Sequence, residues 1–518
     1  MTFVVFPVHQ LAAEEVIEYP IFDYLKKQFH IVFCLFIALC ISPFVTQSQI
    51  PKNQFEIVLT GDEIVESTAC IENYVLISSV KAAVKSKYIP TRRYILLDSI
   101  LKVQIDTIPP IPFRHKPRDQ YRSNDAFYDF YYDYRRGEYS LVESSKSEFQ
   151  VVSGDLPNKM YEPQIVVGDE AKFFLDRRIN RERIVVAPTE APGYESYSVK
   201  RVKKRTKVFP LYFDFIQGGT DVSYIWREKS SKENDVFVAT WSGTGESFGR
   251  FQFSIPDKTI HGITIYQLSE DRILLTGTYA KYTTRQASGV FFAVIEDGCC
   301  LNMKTFSFSD LPHYFDYLDK YEKLEMKRKL ARLKKHEKST EIRTHAFAHP
   351  VISIGNGFML PVEIYKELYT DLYGVTRNGN TIAGSPQDFK GYAYSHGLIL
   401  RFDAEGQLKH DYYFDIDLDY IPWTTSAKLQ TFVDDDTLQL GYAAKNKLYF
   451  GHIKPLEFGE LNSDTIPGKN STKVTRKEAQ FFYMNDGSAL IYGYRTQKQK
   501  QGFLKKADVY FIEKRKVR

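Results

Sequence analysis

Val236-Phe-Val-Ala-Thr-Trp-Ser-Gly-Thr-Gly245 returns in altered form as Val290-Phe-Phe-Ala-Val-Ile-Glu-Asp-Gly298 and again as Leu398-Ile-Leu-Arg-Phe-Asp-Ala-Glu-Gly406. Each copy is an apolar run closed by a polar turn that carries glycine, the pattern of a strand entering a hairpin. The turn glycines Gly245, Gly298, Gly406 and Gly459 are separated by 53, 108 and 53 residues, which reads as one unit, two units and one unit. A period of this length marks an array of repeated modules.

A second hairpin alternates with the first. Ile263 to Tyr279 reads as strand, tight turn and strand ending in Gly277-Thr-Tyr, and Phe481 to Tyr494 repeats the scheme with Gly493-Tyr at its end. The stretch 426–443, with Asp434-Asp-Asp436 at the turn, and the stretch 351–365, with Asn356-Gly357, fit as well. Two hairpins per unit make a four-stranded antiparallel sheet, and such sheets bury both faces when they stack radially. The expected fold is therefore all-β, a β-propeller of four-stranded blades with a period of about 53 residues. Separate β-sandwich domains are the alternative. The last apolar run, Asp508 to Glu513, looks like half a unit, so an earlier segment is expected to complete its sheet and close the ring.

Residues 235–302, 348–410 and 426–513 resemble the β-propeller superfamily, in particular its exported bacterial members. The resemblance is one of pattern, without a Trp-Asp dipeptide, a Kelch double glycine or a Ser-x-Asp-x-Gly-x-Thr-Trp box. It implies the fold and, by analogy, a binding or scaffold role at the cell envelope or outside the cell. It carries over no catalytic residue.

With 518 residues, 43% hydrophobic and 26% charged, the composition is that of an ordinary globular protein of one large domain or two. The net charge of +5 is concentrated in two places. Lys200, Arg201, Lys203, Lys204, Arg205 and Lys207 form one basic run, and residues 319–338 hold nine Lys/Arg against four Asp/Glu. Residues 31–45 are apolar and have the length of a signal-peptide core, with Lys26-Lys27 before them and Thr46-Gln-Ser48 after, which predicts cleavage before Gln49. Glu14, Glu15, Glu18 and Asp23 do not suit a signal n-region, so translation is expected to start near position 25. Retention of 31–45 as an uncleaved membrane anchor is the alternative. Cys70, Cys299 and Cys300 remain after cleavage, either with one Cys70 disulfide to the adjacent pair or as three free thiols.

The expected organisation is an N-terminal extension and leader over 1–48, and a β-rich region over 49–187 forming early blades or a separate domain. A basic linker over 188–207 and propeller repeats over 208–518 follow. A helical insertion is expected over 311–338, where Tyr314, Tyr317, Tyr321, Leu324, Leu330 and Leu333 fall at helical spacing.

Four constellations bear on chemistry. His345 and His349 have the i, i+4 spacing of a helical metal pair, but Pro350 follows and no Glu completes a His-Glu-x-x-His motif. Asp415, Asp417 and Asp419 share one side of a strand and are the candidates for calcium or for acid–base glycoside chemistry at the propeller axis. Tyr128, Tyr131, Tyr132 and Tyr134, interleaved with Asp125, Asp129 and Asp133, could stack on sugars or anchor a protein, or simply pack as a strand. The basic segments could meet anionic lipid or nucleic acid, but charge runs are usually solvated faces, so the favoured reading of 319–338 is a solvated helix packed across the propeller by its aromatic stripe, and nucleic acid is not the expected partner. No cofactor is expected. Asn470-Ser-Thr is a glycosylation sequon, meaningful only in a eukaryotic secretory route. The function expected is non-enzymatic binding of a protein or glycan, with a carbohydrate-active enzyme as the alternative.

Overall fold

In the computed structural model, the described residues are 54–516 except 59–62, 72, 82–91, 113, 124, 146–147, 179–180, 190–192, 199–206, 230–233, 246–247, 282–285, 337, 370–388, 417–426, 435, 445–446, 455–456, 459–461, 466–475, 485–487 and 498–506. The expected leader or anchor, the basic residues 200–205, Asp417, Asp419, Gly459 and Asn470 lie outside them.

Eight antiparallel sheets follow one another along the chain, giving a β-propeller of eight blades. Blades 1 to 7 span 63–107, 116–155, 164–198, 207–253, 258–307, 345–415 and 430–465. Blade 8 takes three strands from 476–516 and its fourth from Gln54–Val58, paired Gln54 to Glu513 through Val58 to Val509. The first strands of blades 2 to 6 approach one another in succession, as do those of blades 7 and 8. Blades 1 and 2 and most of blade 3 fall within the N-terminal β-rich region, and the stretch expected as a linker supplies Glu195–Ser198, the outer strand of blade 3.

The apolar runs read as continuous because both faces of a blade are buried, and alternation along the strand sends neighbours to opposite sides. In blade 5, Val290, Phe292 and Val294 enter the core shared with blade 6. Phe291, Ala293 and Ile295 enter the core shared with blade 4. A core of this kind lies at all eight junctions, including the one between blades 8 and 1, where Ile57, Val65, Leu490 and Ile512 meet. Large buried areas on both faces of each blade are what holds the ring.

Gly245, Gly298 and Gly406 occupy the same turn, between the third and fourth strands of blades 4, 5 and 6, with φ of 81°, 72° and 71°. The 108-residue interval is therefore one blade step lengthened by insertion, which corrects its reading as two units. Part of that insertion is the one α-helix among the described residues, Lys320–Lys335 (α1). Asp319 caps it, accepting from the N–H groups of Tyr321 and Glu322 at 2.8 Å each, while Glu322 reaches back to the Asp319 N–H. Arg332, Lys334 and Lys335 favour the C-terminal end of its dipole.

This cap starts the helix after Tyr317 and changes the expected stripe. Tyr314 precedes the helix and is buried between blades 5 and 6. Within α1 the partly covered positions are Lys323, Met326, Leu330 and Leu333, and Tyr321 and Leu324 face solvent. Among the described residues, Cys70, Cys299 and Cys300 form no disulfide with one another. Cys70 is buried in blade 1 and Cys299 and Cys300 lie in blade 5, so the disulfide alternative is excluded.

Candidate functional site at the ring seam

Where the two ends of the ring meet, the first strand of blade 1 carries a β-bulge. Val65 pairs with Ser79 and Ser67 with Ser78, which leaves Glu66 as the extra residue. A bulge re-aims a side chain and increases local twist. Here it opens a cavity of about 120 Å³ between blades 8 and 1, lined by Glu66, Ser67, Thr68, Gln480, Tyr492, Tyr494 and Tyr510.

Hydrogen bonds across the seam hold the lining. The Tyr494 hydroxyl donates to the Val65 carbonyl at 2.7 Å, bracing the bulge. Thr68 and Tyr510 share a hydroxyl–hydroxyl bond, and the Tyr492 hydroxyl donates to Gln480 Oε1 at 2.7 Å. Tyr494 and Tyr510 meet edge to face with centroids 5.1 Å apart. Burial pushes the Tyr510 hydroxyl well above its ordinary pKa, so it remains neutral.

Behind the lining lies a buried polar network at the junction of blades 1 and 2. Arg92 bonds to Glu66 on the cavity side and, through Nη1, to Asp129 Oδ1 at 2.5 Å on the other. Asp129 is wholly buried and also accepts from Gln120 Nε2 at 2.8 Å and from the Tyr94 hydroxyl, which lies 3.0 Å from that of Tyr131. Burial works against the Arg92 charge, but Asp129, Tyr131, Tyr94 and Glu66 more than offset it and hold the guanidinium above its ordinary value. Tyr131 is pushed up to about 12, chiefly by burial and then by the Asp129 charge. The chain from cavity to core thus runs carboxylate, guanidinium, carboxylate and tyrosine hydroxyl, fully hydrogen-bonded at Asp129.

The residues singled out in the sequence separate widely. Tyr131 belongs to this network, whereas Tyr132 is buried with its hydroxyl on the Pro157 carbonyl at 2.6 Å. Tyr128 stacks on Tyr121, and Tyr134 is the exposed member of the group. The four do not form an open aromatic platform. Asp415 ends the outer strand of blade 6 and accepts from Tyr413, away from the seam.

His345 opens the first strand of blade 6 and His349 directly follows its last residue, Ala348. His345 stacks on Tyr365, while His349 Nε2 lies 2.6 Å from the buried Glu363. Glu363 also accepts from the N–H groups of Lys428 and Leu429 at 2.8 and 2.7 Å, so this pair staples blade 6 to the approach to blade 7. Among the described residues no group of three His, Cys, Asp or Glu side chains is placed to hold a metal ion.

One arrangement escaped sequence reasoning because its members are separated along the chain. His115 Nδ1 lies 2.9 Å from Ser140 Oγ, and His115 Nε2 lies 3.8 Å from Glu138. Ser140 is wholly buried and also shares a bond with Ser153, which makes the trio a structural tie within blade 2. The Glu66 bulge escaped as well, since a one-residue slip between strands leaves no compositional mark.

No protein-family model matches the chain, and no curated protein matches it. Among solved structures, the chain is similar to the Dos1 propeller, with 8% identity over 87% of this chain and 94% of that one at a TM-score of 0.40. It is also similar to the β-propeller domain of the Trilobed protease from Pyrococcus furiosus, with 8% identity over 79% and 99% at 0.35. A third likeness is to the polysaccharide lyase Uly1, with 9% identity over 77% and 90% at 0.37. The fold assignment rests on the sheet order and the eight inter-blade cores.

Proposed function

We propose that the protein is an exported β-propeller that binds a glycan, without transforming it, through one sugar seated in the seam cavity. The make-up of the cavity wall carries this reading. Thr68, Tyr492, Tyr494, Tyr510, Gln480 and Glu66, all of them polar, line a space of about 120 Å³. That is somewhat below the roughly 150 Å³ that accepts a benzene ring, so one sugar ring fits in part and the remainder of the chain stays outside. Every lining group stands on a strand, which suits a preformed site. Glu66 is held in place by Arg92.

Export is supported by the apolar 31–45 segment with its small-residue exit. Cleavage before Gln49 would also spare Gln54–Val58, the strand that closes the ring.

Calorimetric titration of monosaccharides and short oligosaccharides into wild type, Glu66→Gln and Gln480→Ala tests the site. A saccharide that binds wild type and loses at least tenfold in affinity with either variant, at unchanged thermal stability, supports the reading. No saccharide binding, or binding that ignores both substitutions, removes it.

A further inference from the structure

The outward face of α1 carries a second surface, independent of the seam cavity. Met326 and Leu330 turn the helix toward the core between blades 5 and 6. The opposite pole of a helix with 3.6 residues per turn then holds Tyr321, Leu324, Arg328, Arg332 and Lys335, spaced by three, four, four and three residues. All five are exposed, Tyr321 at 83% and Leu324 at 47%.

This stripe contains no acid. An aromatic and a leucine lie at its N-terminal half and three basic side chains at its C-terminal half. Tyr321 and Leu324 are large side chains that stand together, exposed, at the pole farthest from the core. Phosphate-backbone binding would use the cations and leave those two side chains without a role. An anionic bilayer uses both halves: the tyrosine ring sits at headgroup level, leucine reaches the acyl boundary, and arginine and lysine meet lipid phosphates.

We infer that α1 docks the propeller onto an anionic phospholipid surface through Tyr321, Leu324, Arg328, Arg332 and Lys335. The helix rests against the ring by its other face, so docking requires no unfolding.

Full-chain protein is mixed with vesicles of phosphatidylcholine alone and of phosphatidylcholine with one quarter phosphatidylglycerol. Wild type is expected to partition onto the anionic vesicles more strongly, and Arg328→Gln with Arg332→Gln to lower that partitioning roughly 30-fold, at about fivefold per charge. Raising salt from about 0.1 M to about 1 M shortens the screening length from about 10 Å to about 3 Å and is expected to weaken it similarly.

Tyr321→Trp gives a local reading that any contribution of residues 31–45 leaves untouched. The introduced indole is expected to shift its emission to the blue on anionic vesicles and to be quenched by brominated lipid. An unshifted and unquenched indole overturns the proposal. So does equal partitioning by the double variant, and so does binding to duplex DNA with no preference for anionic vesicles.

Discussion

The ring of Phe292 in blade 5 occupies the place a side chain on Gly406 in blade 6 would need, its Cδ1 only 2.3 Å from where a β-carbon would stand. Both residues come from copies of the same recurring phrase. The turn glycine is thus fixed twice, by its left-handed φ of 71° and by the neighbouring blade. Gly406→Ala is expected to cost about 1–3 kcal/mol in backbone strain alone, with the clash added. Urea unfolding checks this, and Phe292→Leu in the Gly406→Ala background should recover part of the loss through relief of the contact.

The Arg92–Asp129 pair predicts an asymmetric response to mutation. Asp129→Ala leaves a guanidinium largely out of water without its main partner and is expected to cost about 3–5 kcal/mol. Replacing both residues with apolar ones, Arg92→Met with Asp129→Leu, should cost less than the single change. Comparable losses in the two variants, measured by denaturant midpoint, would show that packing rather than charge dominates this junction.

Closure by the N-terminal strand has a consequence for assembly. Deleting residues 54–58 removes the partner of 509–513 and the buried Ile57 side chain. The bared strand edge is expected to pair between molecules, so light scattering should report dimers or larger species where the intact chain is smaller. A monomer of unchanged thermal stability would contradict the role assigned to this strand.

His396 predicts a pH dependence. It is buried in blade 6, stacked on Tyr317 at 4.6 Å, with burial lowering its pKa to about 4. Its folded pKa lies below the unfolded value of about 6.5, so its contribution is complete above that value and is lost as pH falls toward 4. The loss is on the order of 3 kcal/mol. Unfolding of wild type and His396→Phe at several pH values should show the shallower dependence in the variant; parallel curves would exclude His396 as the source.

Hairpin grammar was legible because it is local. An apolar run fixes a strand with period-two alternation, and Gly245, Gly298 and Gly406 mark turns that only a residue free of a β-carbon enters readily. The same logic located the insertion but misplaced its stripe, because the Asp319 cap sets the helical phase and a spacing count over 311–338 ignores where the helix begins. The Tyr128–Tyr134 stretch allowed an exposed binding role or a packed strand, and in the structure the Tyr131 hydroxyl meets that of Tyr94 inside the blade junction. Aromatic and acidic residues in alternation look alike whether the strand faces solvent or another blade.

By itself, then, the amino-acid order determined a repeated four-stranded unit, buried on both faces, with its last sheet unfinished at the chain end. Those properties follow from side-chain chemistry within a few residues of one another. Eight as the blade number, the pairing of Gln54–Val58 with the final strand, the slip that pushes Glu66 into the seam and the meeting of Arg92 with Asp129 were decided only in three dimensions. Each depends on which strands come to lie side by side, and that contact is made between residues the chain keeps far apart until the ring closes.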